Sequence, residues 1–309
     1  MTARSDAPLD DAALARSLDG DFTSHHADVN GTRLHYVEGG SGQPLVLLGG
    51  WPQTWWQWHK VMPALARRHR VIAVDLRGMG GSAKPADGYD KKTMADDIHA
   101  LVRHLGLDAV SVAGHDIGAM VAHAFAANHP EATARVALLD VPHPDAGWSS
   151  FSLLPAPDQH VDSDIEAGAR IYLWWFAFNQ VRGLPEQLLE GRARLLIDWL
   201  FDYLAKDPAS VDEHSRRVYA RAYDGADAIR AGNAWYQAFN QDIADEAAYG
   251  PLTVPLLALG GDESNHAVLR DVMPSKGADV TVTEIRASGH YLPEEQPDAV
   301  VEALTDFLG

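Results

Sequence analysis

The chain has 309 residues, 46% apolar and 22% charged, with a formal net charge of −18 and no cysteine. This length and composition suit a globular protein with two domains, or one core carrying a large insertion. The acidic balance argues against nucleic acid and anionic membrane surfaces as partners, and the missing cysteines remove disulfides, thiol catalysis and Cys-ligated metal from consideration.

In chain order, residues 1–21 read as an acidic leader without the apolar stretch of a signal peptide. Two alternating segments, 23–29 and 33–37, flank Asn30-Gly31, the strongest short hairpin signal. A continuous apolar run at 44–48 predicts a buried strand, followed by the loop Gly49-Gly50-Trp51-Pro52 and a helical stretch to about residue 68. Residues 71–76 form the next apolar run, closed by Arg77-Gly78-Met79-Gly80-Gly81-Ser82. Apolar residues recur at helical spacing over 90–105, then an apolar strand at 109–113 leads into Gly114-His115-Asp116-Ile117-Gly118 and an apolar helix over 117–128. Strand 135–139 delivers Asp140. Such alternation of apolar strands and helices predicts a parallel sheet covered on both faces.

The alternation stops at about residue 146. Four helical patterns follow, near 164–180, 185–205, 210–223 and 226–248, with no convincing strand until 254–259. A helix at 266–272, a strand at 280–285 and a helix at 298–308 close the chain. The expected organisation is a core of residues 22–145 and 251–309 interrupted by a helical cap at 146–250. No window is apolar for long enough to span a membrane, so a cytoplasmic protein is expected.

Four motifs in this order resemble the α/β-hydrolase-fold epoxide hydrolases and, nearly as closely, the haloalkane and haloacetate dehalogenases. They are Gly49-Gly50-Trp51-Pro52 at the place of H-G-x-P, Asp75-Leu76-Arg77-Gly78-Met79-Gly80-Gly81-Ser82 for D-x-R-G-x-G-x-S, Gly114-His115-Asp116-Ile117-Gly118 for the nucleophile elbow, and Gly289-His290 after the last strand. The elbow normally centres on serine. A carboxylate there attacks saturated carbon and itself becomes an ester. The resemblance implies Asp116 as nucleophile and His290 as the base that activates water. Two positions could supply the acid that orients His290: Asp140, or Asp262 and Glu263. Leu138-Leu139-Asp140-Val141-Pro142 resembles the relay segment of haloacetate dehalogenases and some bacterial epoxide hydrolases, which favours Asp140.

The backbone N–H groups of Trp51 and Ile117 are the expected oxyanion hole. Gly49, where the family usually has His, puts the placing of that loop in question. In the cap, Trp235-Tyr236 matches a family pair whose second residue opens an epoxide ring by donating a proton, and Trp175 matches a second donor slot. Trp174, Trp175, Trp51 and Trp235 are candidate walls for the substrate. Adjacent helical residues point about 100° apart, so one of Trp174 and Trp175 at most faces the pocket squarely. Ile117, Gly118, Ala119 and Met120 stand where fluoroacetate-type enzymes place arginines for a substrate carboxylate. The reading is therefore a hydrolase of a neutral, aromatic or bulky epoxide, needing no cofactor or metal, with a small molecule as its only expected partner; a homodimer is left open. The alternatives are a haloalkane dehalogenase with the same three residues and a non-catalytic ligand binder.

Overall fold

The structure is a computed structural model that describes residues 9–151 and 173–309. Inside the acidic leader, helix α1 (Asp11–Ser17) is capped by Asp10 and buries Leu14 and Ala15 completely. Its Asp11 carboxylate accepts a hydrogen bond from the Trp55 indole at 2.8 Å, so this end of the leader packs on the core. Strands β1 (Thr23–Val29) and β2 (Thr32–Gly39) make the expected hairpin, with both Asn30 and Gly31 at positive φ as the tight turn requires.

Next come β3 (Gln43–Leu48), a 3₁₀ turn at Trp55–Trp58, short helix α2 (Met62–Leu65), β4 (His69–Asp75), α3 (Lys91–His104), β5 (Val110–His115), α4 (Ile117–Asn128) and β6 (Thr133–Leu139). The helical stretch expected after Pro52 is thus only two short turns. The eight-stranded sheet is completed by β7 (Leu256–Gly261) and β8 (Val280–Ile285), in the order β1-β2-β4-β3-β5-β6-β7-β8, parallel from β4 onward. The central strands are buried on both faces, which is why they read as unbroken apolar runs.

Between β6 and β7 the described residues hold helices α5 (Trp174–Gln180), α6 (Leu184–Leu189), α7 (Ala193–Leu204), α8 (Glu213–Ala222), α9 (Ala226–Gln237) and α10 (Phe239–Glu246). The predicted 164–180 helix is described only from Trp174; its earlier part lies outside the described residues. The predicted 185–205 helix divides at Gly191, which takes φ 71°. The predicted 226–248 helix divides at Ala238 with no Gly or Pro to mark it. There, the Trp235 carbonyl accepts from Lys91 Nζ at 2.7 Å instead of serving the next helical turn. After β7, α11 (His266–Val272), α12 (Leu292–Glu295) and α13 (Pro297–Leu308) complete the chain.

Lys91 ties this insertion to α3. Its Nζ also donates to Asp242 Oδ2 at 2.7 Å, its backbone N–H donates to Asp242 Oδ1 at 2.7 Å, and both side chains are wholly buried. Removing one partner strands a buried charge. Asp242→Ala should therefore cost about 3–5 kcal/mol, read as a lower urea midpoint, and a Lys91→Met/Asp242→Leu double variant should recover most of it. A double variant no more stable than Asp242→Ala would contradict this.

Candidate active site

Asp116 sits on the turn from β5 into α4 with φ 53° and ψ −121°, a region that disfavours side-chain-bearing residues. The flanking glycines make that turn feasible. A Cβ on Gly114 would fall on the Gly118 carbonyl, and one on Gly118 would fall on the Leu48 carbonyl at the end of β3. Gly50 likewise leaves space for the Asp116 side chain. The spacing of the motif is thus a packing condition on three backbone segments that meet at Asp116.

The Trp51 N–H donates to Asp116 Oδ1 at 2.8 Å, and the Ile117 N–H at the start of α4 also favours the charged carboxylate. The loop carrying Trp51 is held without a histidine at position 49. The Gly50 N–H donates to Gln57 Oε1 at 2.8 Å, the Trp55 N–H donates to buried Asp75 at 2.8 Å, and the Tyr223 hydroxyl donates to the Gln53 carbonyl at 2.8 Å. Asp75 also accepts from His35 and the Gly81 N–H, while Arg77 forks onto Asp97. The D-x-R-G-x-G-x-S stretch therefore acts as a brace under the Trp51 loop.

His290 Nε2 lies 3.7 Å from Asp116 Oδ2, beyond a direct hydrogen bond. A water can reach both groups at ordinary distances of about 2.8 Å. His290 Nδ1 donates to Asp140 Oδ2 at 2.6 Å. Asp140, on a left-handed residue (φ 68°) after β6, is fully buried and saturated: it accepts from the Gly261 and Asn265 N–H groups, Ser264 Oγ and Asn265 Nδ2. The other two acids are engaged elsewhere. Asp262 accepts from the Ala287 and Ser288 N–H groups, and Glu263 pairs with Lys206 at 2.8 Å.

Burial raises the Asp116 pKa, against the pull of the His290 charge and the two N–H donors. Burial alone would lower that of His290; the Asp140 hydrogen bond and the Asp140 and Asp116 charges outweigh it and raise the pKa above 6.5. For Asp140, burial pushes upward but the His290 contact wins, and the carboxyl stays below its usual range. His115, unremarked in the sequence reading except as part of the elbow, donates Nε2–H to the His290 carbonyl at 2.7 Å and is held neutral by burial, its pKa falling to about 3.

Tyr236 is brought to this group. Its ring meets the Trp51 ring edge-on at 5.3 Å, and burial followed by the Asp116 charge pushes its pKa well above 10, while a hydrogen bond with the Trp175 side chain pulls the other way. Phe176 packs against the same ring at 5.4 Å. The other two predicted walls pack differently. Trp235 is fully buried and donates its indole N–H to the Arg77 carbonyl at 3.0 Å, so it is a strut between α9 and the core. Trp174, half-buried, packs against Trp175, Trp199 and Phe178. Trp235 and Tyr236 diverge because neighbouring helical side chains point roughly 100° apart.

Ligating side chains also gather away from Asp116. His99, His129 and Glu131 lie together, with the two imidazoles stacked at 4.0 Å and His129 Nε2 already paired with Asp96 at 2.8 Å. Asp11, His35 and Asp75 also lie close, with His35 Nδ1 already committed to Asp75. Among the described residues no helix is long and apolar enough to cross a membrane.

The sequence profile of the alpha/beta hydrolase fold matches residues 43–297. The chain is 36% identical to the soluble epoxide hydrolase of Corynebacterium sp. (strain C12), over 93% of this chain and 98% of that one. It is 28% identical to the fluoroacetate dehalogenase of Burkholderia sp., over 93% and 94% of the two chains. Among solved structures, Cfl2 from Burkholderia cenocepacia superposes with a TM-score of 0.81 at 36% identity, covering 94% of this chain and 96% of its own. The chain belongs to the α/β-hydrolase fold family, in the group that holds the epoxide hydrolases.

Proposed function

We propose that this protein hydrolyses a neutral epoxide to a diol through an ester on Asp116, with the helical insertion acting as the cap that closes over the core. The observation that carries the reading is the convergence on Asp116 of two N–H donors, an imidazole and a buried phenol. Asp116 attacks an epoxide carbon and the carbon–oxygen bond breaks; Tyr236 gives its proton to the departing oxygen. With the carboxylate esterified, its charge no longer lifts the His290 pKa, and the imidazole is freer to act as base. His290 takes a proton from water as that water adds to the Asp116 carbonyl carbon. The oxyanion forms facing the Trp51 and Ile117 N–H groups, where one such donor is typically worth about 2.7–4 kcal/mol. Collapse releases the diol and restores the carboxylate, and the proton on His290 returns to Tyr236 through solvent.

The relay acid in this scheme is Asp140. Its saturated, charged carboxylate keeps the proton on His290 Nδ1 and leaves the Nε2 lone pair for water. Asp116→Asn should abolish turnover and adduct formation. His290→Gln should still alkylate once and stall as an ester visible by intact mass. Asp140→Asn should slow ester breakdown by about 10²-fold or more, whereas Glu263→Gln should leave it within about twofold, as expected for an exposed pair. A crippled Glu263→Gln with a mild Asp140→Asn would reverse the relay assignment.

The same contacts fix a pH dependence. His290 works as a base only when neutral, and its pKa is raised by Asp140. Ester breakdown should therefore be fast at high pH and be lost as pH falls through the His290 pKa of the ester form, which keeps the lift from Asp140 and lacks the lift from the Asp116 charge. In Asp140→Asn that limb should move to lower pH while the plateau rate drops. A limb that stays in place, measured as single-turnover ester decay against pH, would contradict the assignment.

Tyr236 supports epoxide over halide because a phenol can transfer a proton to an alkoxide, while an indole can only donate a hydrogen bond. Trp51, Trp175 and Phe176 around it suit an aromatic or bulky substituent. The absence of arginine at positions 117–120 disfavours an anionic haloacid. Tyr236→Phe should slow ring opening at least tenfold, about 1.4 kcal/mol in barrier. A panel of styrene oxide, a fused-ring epoxide, a 1-haloalkane and fluoroacetate should give diol from the epoxides. Halide from the haloalkane with no diol from either epoxide would move the assignment to dehalogenase.

A further inference from the structure

Every main-chain polar group from Gly289 to Tyr291 has a partner. The His290 N–H donates to the Leu204 carbonyl at the end of α7 at 2.9 Å, and the His290 carbonyl accepts from His115. The Gly289 carbonyl accepts from Ser288 Oγ, and the Tyr291 carbonyl from the Glu294 and Glu295 N–H groups. The two remaining N–H groups, on either side of His290, go to one side chain. Glu295 Oε1 accepts from the Tyr291 N–H at 2.9 Å and Oε2 from the Gly289 N–H at 2.9 Å. Oε2 also accepts from the N–H groups of Lys206 at 2.7 Å and Asp207 at 3.3 Å, just beyond α7. A single carboxylate thus joins the loop bearing the imidazole to the turn that leaves α7.

Four N–H donors on one carboxylate are charge-assisted bonds, roughly twice as strong as neutral ones. The Lys206 ammonium is directed to Glu263 instead, so Glu295 is met by backbone alone. There is no slack in the approach either, since a Cβ on Gly289 would fall on the Leu204 carbonyl. The neighbouring Glu294 points elsewhere, accepting from the Tyr219 hydroxyl at 2.5 Å and pairing with Lys60 at 3.1 Å.

We propose that Glu295 is a positioning residue that locks His290 against the 204–207 turn, so that the seat of the base is set jointly by the core and the insertion. This rests on the reading of His290 as the base for ester hydrolysis. The lock acts on the second half-reaction, because the first needs Asp116 and Tyr236 and no proton transfer to His290. In Glu295→Gln, an amide of nearly the same shape offers one acceptor oxygen and turns an NH₂ group toward N–H donors, so at least one loop N–H loses its partner.

The test separates the two half-reactions with styrene oxide, following Asp116 adduct formation and decay by quenched-flow intact mass. For Glu295→Gln, adduct decay should slow by at least tenfold while adduct formation stays within about threefold of the unsubstituted protein, so the ester accumulates. Glu295→Asp, which keeps both acceptor oxygens, should lie between the two and carries the same test should Glu295→Gln fail to fold. Glu294→Gln removes a carboxylate buried more deeply than Glu295 and should leave the ratio of decay to formation within about threefold. Equal slowing of both steps by Glu295→Gln, or an equal change in the ratio from Glu294→Gln, would reduce Glu295 to general stability and overturn the proposal. An unsubstituted protein that forms no adduct at all would instead overturn the reading on which the proposal stands.

Discussion

The close approach of three backbone segments around Asp116 is the constraint on which the site depends. The end of β3, the turn out of β5 and the first residues of α4 come so near that no Cβ fits at Gly114 or Gly118. The Asp116 backbone is held in a conformation that costs on the order of 1–3 kcal/mol. The surrounding parallel sheet over-determines that conformation, with β5 paired to β3 on one side and β6 on the other. Once the turn is fixed, the carboxylate projects past the end of the sheet and meets whatever the neighbouring strand ends deliver. β3 delivers the Trp51 N–H, α4 the Ile117 N–H, β6 delivers Asp140, and the loop after β8 delivers His290.

Burial then gives these contacts their chemical character. Asp116 carries a raised pKa, Asp140 a lowered one, and His290 lies between them with its two nitrogens facing different acids. Two carboxylates of the same type thus differ because one is met by two N–H donors and the other by a saturated set of donors that includes the imidazole. The histidine is oriented at its side chain by Asp140 and at its main chain by Leu204, His115 and the Glu295-held neighbours. The last set reaches into the insertion, so helices far from Asp116 in sequence take part in placing His290.

Much of the core was legible. Buried parallel strands read as apolar runs because both faces are covered, and Asn30-Gly31 marked the first hairpin because both residues need positive φ. The elbow was legible for the same steric reason that it exists. Local pattern failed wherever a distant group decided the outcome. The α9–α10 break has no local signal because Lys91, 144 residues away, takes the Trp235 carbonyl. Glu295 looks like one more acid near a helix end until Lys206, 89 residues earlier, is placed beside it. Among the tryptophans, composition could not separate Trp51 and Trp175, which reach Tyr236, from Trp174 and Trp235, which hold helices together; only packing distinguishes them. The preference for Asp140 over Asp262 and Glu263 came from family resemblance; in the structure Asp140 bonds His290, Asp262 accepts from the Ala287 and Ser288 N–H groups and Glu263 pairs with Lys206.

The central claim is that oxygen from the Asp116 carboxylate, and not directly from water, enters the product. A single turnover of styrene oxide in heavy-oxygen water, with protein in excess, followed by mass analysis of the Asp116 peptide and the diol, tests it most directly. The covalent route adds water at the Asp116 carbonyl carbon, so the label should appear in the Asp116 carboxylate and the first diol formed should be unlabelled. A labelled diol with an unlabelled Asp116 peptide would show that water attacks the epoxide directly and would contradict the account.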